Sequence, residues 1–355
     1  MYNDQRIFNP IIYNYGCPIQ IVKLRFIPFV KIKFPKGYNY FEFKLIAPKF
    51  SASLGVSKFA SFIISRDFKM NYHTPSSFSD ASAIAASSKG KTRFLAGGTD
   101  VLVQMRSDII TPDDLIDVKK IQGVKDITKN KDGSWTLGIA VTGAEMSEHA
   151  EFKKAWPGLV EATDLIGSTQ IQGRATIVGN LCNGSPAADS VPAQIAAGAT
   201  VSIIGPMGER IVAVEDIPTG PSKTSLEKGE LISSVHIPAR GKNAGDAYLR
   251  FIPRTEMDIA VVGCGISLRS DNGVITEARI ALGAVAPTVL LVDECAEAII
   301  GTKLDGTALK KLAQAAEKAC DPIDDKRGTI EFRTDIAGVL AARTAKKAYN
   351  RAQGK

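Results

Sequence analysis

The chain has 355 residues, 45% of them hydrophobic and 23% charged, with 44 Lys plus Arg against 37 Asp plus Glu and a formal net charge of +7. That length holds two or three domains with cores of their own, so folding needs no disulfide framework. The charge is uneven: residues 1–69 carry 11 basic against 3 acidic side chains (+8), whereas residues 70–355 carry 33 against 34 (−1), which excludes a nucleic-acid role for the folded part on charge grounds.

Residues 1–69 also hold 15 of the 25 Phe, Tyr and Trp residues, without a sustained period of 2 or 3.6 and without an apolar run long enough for a bilayer. Lys23, Arg25, Lys31 and Lys33 interrupt every candidate signal-peptide core. The expectation is an atypical basic, aromatic-rich extension, disordered or an upstream translation artefact, with the globular pattern starting at Met70. Cys17, Cys182, Cys264, Cys295 and Cys320 form no C-x-x-C or C-x-C pair, so a cysteine-ligated cluster within this chain is not expected; buried thiols in a reducing, cytoplasmic setting are.

From Ser79 to Ser88 small and apolar residues recur at helical spacing up to Gly90. TRFLAGGTDVLVQMR then reads as a strand over residues 92–95, a tight turn at Gly97 and Gly98, and a short helix capped by Thr99 and Asp100. By itself G-G-T-D lacks the Lys of a P-loop, and the bare-turn reading stands beside the phosphate-cradle reading. A strand follows at residues 114–121 and a hairpin over 124–140 turns at Lys131, Asp132 and Gly133. Helical patterns cover residues 146–154 and 159–166.

The most informative stretch is residues 174–200, RATIVGNLCNGSPAADSVPAQIAAGAT. Asn180, Asn183, Gly184, Ser185 and Pro186 break regular structure ahead of a helix starting near Asp189. Two readings fit: a cofactor wall whose backbone N–H groups face an anionic or polar ligand, or a surface loop that caps the helix through Asp189. Beyond it come a hairpin about residues 205–208, a strand in GELISSVHIP with His236 facing solvent, and a polar boundary at residues 241–245. Strands at 248–252, 259–268 and 275–285 and helices at 308–320 and 334–352 complete an α+β tail. His73, His149 and His236 are too isolated for a Ser-His-Asp or His-metal set, so neither a catalytic residue nor a metal ligand is expected.

Taken in order, FLAGGTDVLVQMR, RATIVGNLCNGSPAADSVPA, GELISSVHIP, YLRFIPRTEMDIAVVGCGISL and ALGAVAPT with CDPIDDKRGTIEFRTDIAGVLAAR resemble the FAD-binding medium subunit of the xanthine dehydrogenase and carbon monoxide dehydrogenase family of molybdenum hydroxylases. The resemblance covers everything after the extension. It implies an α+β fold: a two-subdomain FAD-binding domain of the PCMH type over residues 70–243 (70–123 and 124–243) and a C-terminal flavoprotein domain over 244–355, built on a three-stranded sheet with helices. It implies that Phe94, Leu95, Ala96, Gly97, Gly98, Thr99, Asp100 and Val101 wrap the FAD diphosphate. Thr176, Gly179, Asn180, Asn183 and Asp189 line the same cofactor, Ile232 sits against the isoalloxazine ring, Arg250 stands where some relatives carry Lys, and Asp258 keeps an acidic position. Two departures follow: Val178 replaces the first glycine of the family's T-I-G-G-N, and Arg250 is a cation that bonds differently from Lys.

The implied function is electron transfer within a heteromeric oxidoreductase. Molybdopterin belongs to a large partner subunit and two-iron iron–sulfur clusters to a small one, and the flavin passes electrons to NAD, oxygen or a carrier. A stand-alone FAD reductase or oxidase, and a non-catalytic subunit that has lost FAD, are the competing readings.

Overall fold

The computed structural model describes residues 70–355, and the expectation for residues 1–69 lies outside the described residues. The described chain opens on a small parallel sheet. Strands β1 (Asn71–His73), β2 (Thr92–Leu95) and β3 (Asp114–Asp117) take the order β1-β3-β2, with helices α1 (Phe78–Ser87) and α2 (Val101–Arg106) in the connections. Ser77 caps α1 by accepting from the Asp80 N–H at 3.0 Å, and Ala81 and Ala85 are its buried face. Central β3 is buried along its whole length, so its two acids need partners. Asp114 accepts from Ser88 Oγ at 2.6 Å, Asn71 Nδ2 at 3.0 Å and His73 Nε2 at 2.8 Å, and these bonds, Ser88 first, pull its carboxyl down to about 2. His73, without a partner in the linear sequence, is thereby a sheet-edge anchor.

A hairpin of β4 (Ile127–Lys129) and β5 (Trp135–Gly138) comes next, followed by α3 (Gly143–Glu148), α4 (Ala150–Ala155), α5 (Pro157–Thr163), α6 (Thr169–Gln172), α7 (Ile177–Cys182) and α8 (Ser190–Ala196). The single helix expected over 146–154 is two, because the His149 ring accepts from the Phe152 N–H at 3.1 Å and starts α4. Strands β6 (Thr200–Gly205) and β7 (Gly208–Ala213), a small ladder of β8 (Pro218–Gly220) and β9 (Lys223–Thr224), and β10 (Leu231–Ile237) follow. The second sheet is antiparallel with order β4-β5-β10-β6-β7. His236 on central β10 does not face open solvent: Thr136, Ser202 and Ser234 hydroxyls surround its ring at 3.2, 2.8 and 3.2 Å. A hydrophobic core including Trp135, Phe152, Leu159, Ile177, Leu181, Ile195 and Ile203 joins this sheet to the helices.

The C-terminal part is built on β11 (Ala244–Phe251), β12 (Val262–Asp271), β13 (Val274–Gly283) and β14 (Leu290–Leu291), with α9 (Asp293–Glu297), α10 (Gly306–Ala319) and α11 (Ile330–Ala352). Its sheet has four strands in the order β11-β12-β13-β14. The three-stranded expectation is corrected here: β14 is two residues long, pairs only with Ala281 and Leu282, and follows a Pro-Thr turn, so it leaves no alternation to read. The β12–β13 turn is tight because Asn272 and Gly273 both accept positive φ, 49° and 80°. Gly245, expected in a polar boundary, lies in β11, where a Cβ would stand 2.0 Å from the Ala348 carbonyl oxygen of α11; strand and helix touch backbone to backbone. A second core, centred on Cys264, Ile266, Ile280, Leu282, Leu312 and Ala341, fills the space between sheet and helices.

Candidate functional site

The two glycine-rich stretches, about eighty residues apart in sequence, meet. The strand β2 ends at Leu95 and the chain turns through Gly97 and Gly98 into α2. At Gly97 a Cβ would stand 2.0 Å from the Arg174 carbonyl oxygen, and Arg174 Nε donates to the Gly97 carbonyl at 3.2 Å. Farther along, Gln104 Nε2 on α2 donates to Asn183 Oδ1 at 3.0 Å. The strand–turn–helix unit is thus clipped to residues 174–183 at both ends.

Gly98 has φ +84°, and the backbone N–H groups of Gly97, Gly98, Thr99 and Asp100 have no hydrogen-bond partner among the described residues. Asp100 heads α2 but its side chain accepts no capping hydrogen bond, contrary to the expected cap. Four consecutive unpaired donors, on backbone half-buried from Gly97 to Thr99 and exposed at Asp100, form a donor row that an anionic oxygen cluster satisfies. This is the observation that fits FAD: diphosphate oxygens accept from backbone donors at a point where glycine lets the main chain approach. Leu95 is buried beneath the turn, while Phe94, Ala96, Thr99 and Val101 are half-buried. Phe94, Thr92 and Ala85 also line an open cavity of about 270 Å³ together with residues 227–230.

Residues 174–200 are arranged differently. Thr176 caps α7, its hydroxyl accepting from the Gly179 N–H at 2.9 Å. Asn180, expected in a loop, is inside α7; its side-chain oxygen accepts from the Ser190 N–H at 3.1 Å and the Ser190 hydroxyl at 2.7 Å, tying α7 to α8. Gly184 has φ +63°, and a Cβ there would stand 2.9 Å from the Lys223 N. Val178, the departure from the glycine pair, is 2% exposed and packs in the hydrophobic core.

Asp189 does not cap α8 through its side chain. Its carboxylate is buried, accepting from the Tyr248 hydroxyl at 3.0 Å and pairing with Arg250 at 2.7 Å. Burial pushes that carboxyl up to about 6, even though Arg250 and the Tyr248 bond act in the opposite direction. Tyr248 and Arg250 sit two residues apart on β11, hence on one face; this alternation was the available signal for a residue that the motif reading missed. Ile232 is 1% exposed and packed in the core beside a bulge of β10, so its side chain is not on an open wall. Asp258 is held well down, to about 2, by Arg254 first, then by the Ile259 backbone N–H and Arg327, each bonded to its carboxylate. Among the described residues there is no cluster of three or more His, Cys, Asp or Glu side chains suited to a metal, and no helix long and apolar enough to cross a membrane.

Comparison with known proteins identifies the family. Residues 67–240 match the family described as FAD binding domain in molybdopterin dehydrogenase, and residues 247–348 match the CO dehydrogenase flavoprotein C-terminal domain. The carbon monoxide dehydrogenase medium chain of Afipia carboxidovorans is 34% identical over 288 residues, covering 80% of this chain and 98% of that one. The xanthine dehydrogenase FAD-binding subunit of Escherichia coli O157:H7 is 30% identical over 286 residues, with the same coverage of each chain. Among solved structures, carbon monoxide dehydrogenase from Hydrogenophaga pseudoflava superposes with a TM-score of 0.77 at 30% identity, covering 80% of this chain and 98% of that one. The chain belongs to the FAD-binding medium-subunit family of the molybdopterin dehydrogenases, oxidoreductases of the xanthine and carbon monoxide dehydrogenase type.

Proposed function

We propose that the chain is the flavoprotein subunit of a heteromeric molybdenum hydroxylase, standing between an iron–sulfur small subunit and an external electron acceptor (NAD, oxygen or a carrier), with molybdopterin in a large subunit. The observation that carries the reading is the row of unpaired N–H groups from Gly97 to Asp100, clipped against residues 174–183. FAD, when bound, supplies reversible redox chemistry that no amino-acid side chain provides.

The chain's own residues bind and orient. The amides of residues 97–100 donate to the diphosphate, Phe94 to Val101 shape the turn around it, and Thr176, Gly179, Asn180 and Asn183 hold the facing wall. Asp189 and Arg250 form a buried charge pair under that wall and fix it to β11. Because the pair is desolvated on both sides, it holds one geometry rather than sampling several. The two hydrophobic cores support a division of the chain into residues 70–243 and 244–355, with Tyr248, Ala281 and Val289 of the second part packed in the first core. The free, buried thiols of Cys264 and Cys295 support a reducing, cytoplasmic setting.

Purification of the natively expressed protein with subunit mass and cofactor analysis tests the reading. The expected result is one flavin per chain together with a molybdopterin-bearing and an iron–sulfur subunit. A flavin-loaded chain that purifies alone and turns over a substrate favours the stand-alone enzyme and ends the proposal.

A further inference from the structure

Arg174, one of the two clips between the glycine-rich stretches, touches Gly97 in two ways. Its carbonyl oxygen occupies the place a Gly97 Cβ would need, at 2.0 Å, and its guanidinium Nε donates to the Gly97 carbonyl at 3.2 Å. The residue is otherwise exposed. The peptide from Gly97 to Gly98 is trans, as are all in the described chain, so its C=O and its N–H point in opposite directions. A donor bound to the Gly97 carbonyl therefore stands behind the turn and leaves the Gly98 N–H on the side away from Arg174, where no described residue accepts from it.

A peptide between two glycines resists rotation less than any other, since neither flanking residue has a Cβ to clash and Gly98 is already at positive φ. If that peptide turned over, the carbonyl oxygen would take the place of the N–H and present negative charge to the donor row. We infer that Arg174 is a positioning residue for the cofactor: by holding the Gly97 carbonyl it locks the Gly97–Gly98 peptide with its N–H in the donor row, and so sets the affinity for the diphosphate. The guanidinium also polarises the peptide, making the Gly98 N–H a stronger donor. This inference rests on the FAD reading above.

The test uses the purified complex, stripped of flavin and titrated with FAD and, separately, with riboflavin, which lacks both phosphates. Arg174→Ala is expected to lower FAD affinity roughly tenfold, the scale of one lost hydrogen bond to a peptide group. Riboflavin affinity is expected to stay at the wild-type value, and Arg174→Lys, which keeps a cationic donor, to recover part of the FAD affinity. Because the side chain is exposed, melting temperature should be unchanged in both variants. An Arg174→Ala protein with wild-type FAD affinity overturns the inference and leaves the FAD reading standing. Equal losses for FAD and riboflavin also overturn it, since they mean general loosening of the site. A wild-type complex that takes up no FAD overturns both.

Discussion

The two glycine-rich stretches look alike in sequence and behave oppositely in the fold. Residues 94–101 leave four successive N–H groups without a partner among the described residues, and no side chain there caps their helix. Residues 174–189 consume nearly all their polar side chains internally: Thr176 on Gly179, Asn180 on Ser190, Ser185 on Ala187, and Asp189 on Tyr248 and Arg250. The first stretch supplies donors and the second supplies a rigid wall. What looked like one kind of ligand loop repeated is a division of labour, and a buried polar group that is already paired is a poor candidate for a ligand contact.

Substitutions can break that contrast. The largest effect is expected at the point where the stretches touch. Gly97→Val places side-chain atoms on the Arg174 backbone, which has no flexible end to move aside, so flavin content of the purified complex should fall to near zero. Retention of stoichiometric flavin absorbance would remove the contact between the stretches from the account.

Next comes Asp189→Asn, a change within the rigid wall. It leaves the Arg250 side chain, 5% exposed, without its charge partner but also removes a carboxylate whose ionisation burial opposes, so the net loss of stability in chemical denaturation at pH 7 falls below the roughly 3–5 kcal/mol of an ordinary broken buried pair. The same variant has a pH signature. Asp189 titrates near 6 when folded, above the roughly 3.9 of an unfolded aspartate. Its contribution to stability is therefore complete below the unfolded value and is lost as pH rises through about 6, and Asp189→Asn should flatten that segment of the stability–pH curve. An unchanged slope between pH 4 and 7 would contradict the assignment.

The smallest effect is expected at Thr176→Ala, which removes the cap of α7. A loss of about 1 kcal/mol in stability with little change in FAD affinity would sharpen the contrast, because the cap serves the wall and not the ligand. A large drop in FAD affinity without a change in stability would instead place the Thr176 hydroxyl on the cofactor.

Much of the fold was legible beforehand. Strand β2 has the bounds read from TRFLAGGTD, the 124–140 hairpin and the Asp271-Asn272-Gly273 turn are present, and the succession of strands and helices after residue 200 follows the turn residues that punctuate it. These elements are set by local chemistry: alternation, glycine and asparagine at positive φ, and hydroxyl caps. The misses were short or borderline elements. The strand β14 is too brief to carry a period, and the split at His149 depends on an imidazole accepting a capping bond. At Asn180 a composition typical of loops became helix because Thr176 caps it and Ser190 takes up the amide.

By itself, the sequence determined where the chain turns, which stretches carry glycine and small polar residues, and which family motifs it bears in what order, all properties of neighbouring residues. Only the tertiary structure decided which of those polar groups remain free. Asp189 reads as a helix cap or ligand in the linear chain and is a buried partner of Tyr248 and Arg250 from a strand sixty residues away. Arg174 reads as one surface cation among many and is the residue that grips Gly97. Hydrogen bonding saturates, so a group's availability depends on what the fold brings within 3 Å of it, and that is a property no window of neighbouring residues contains.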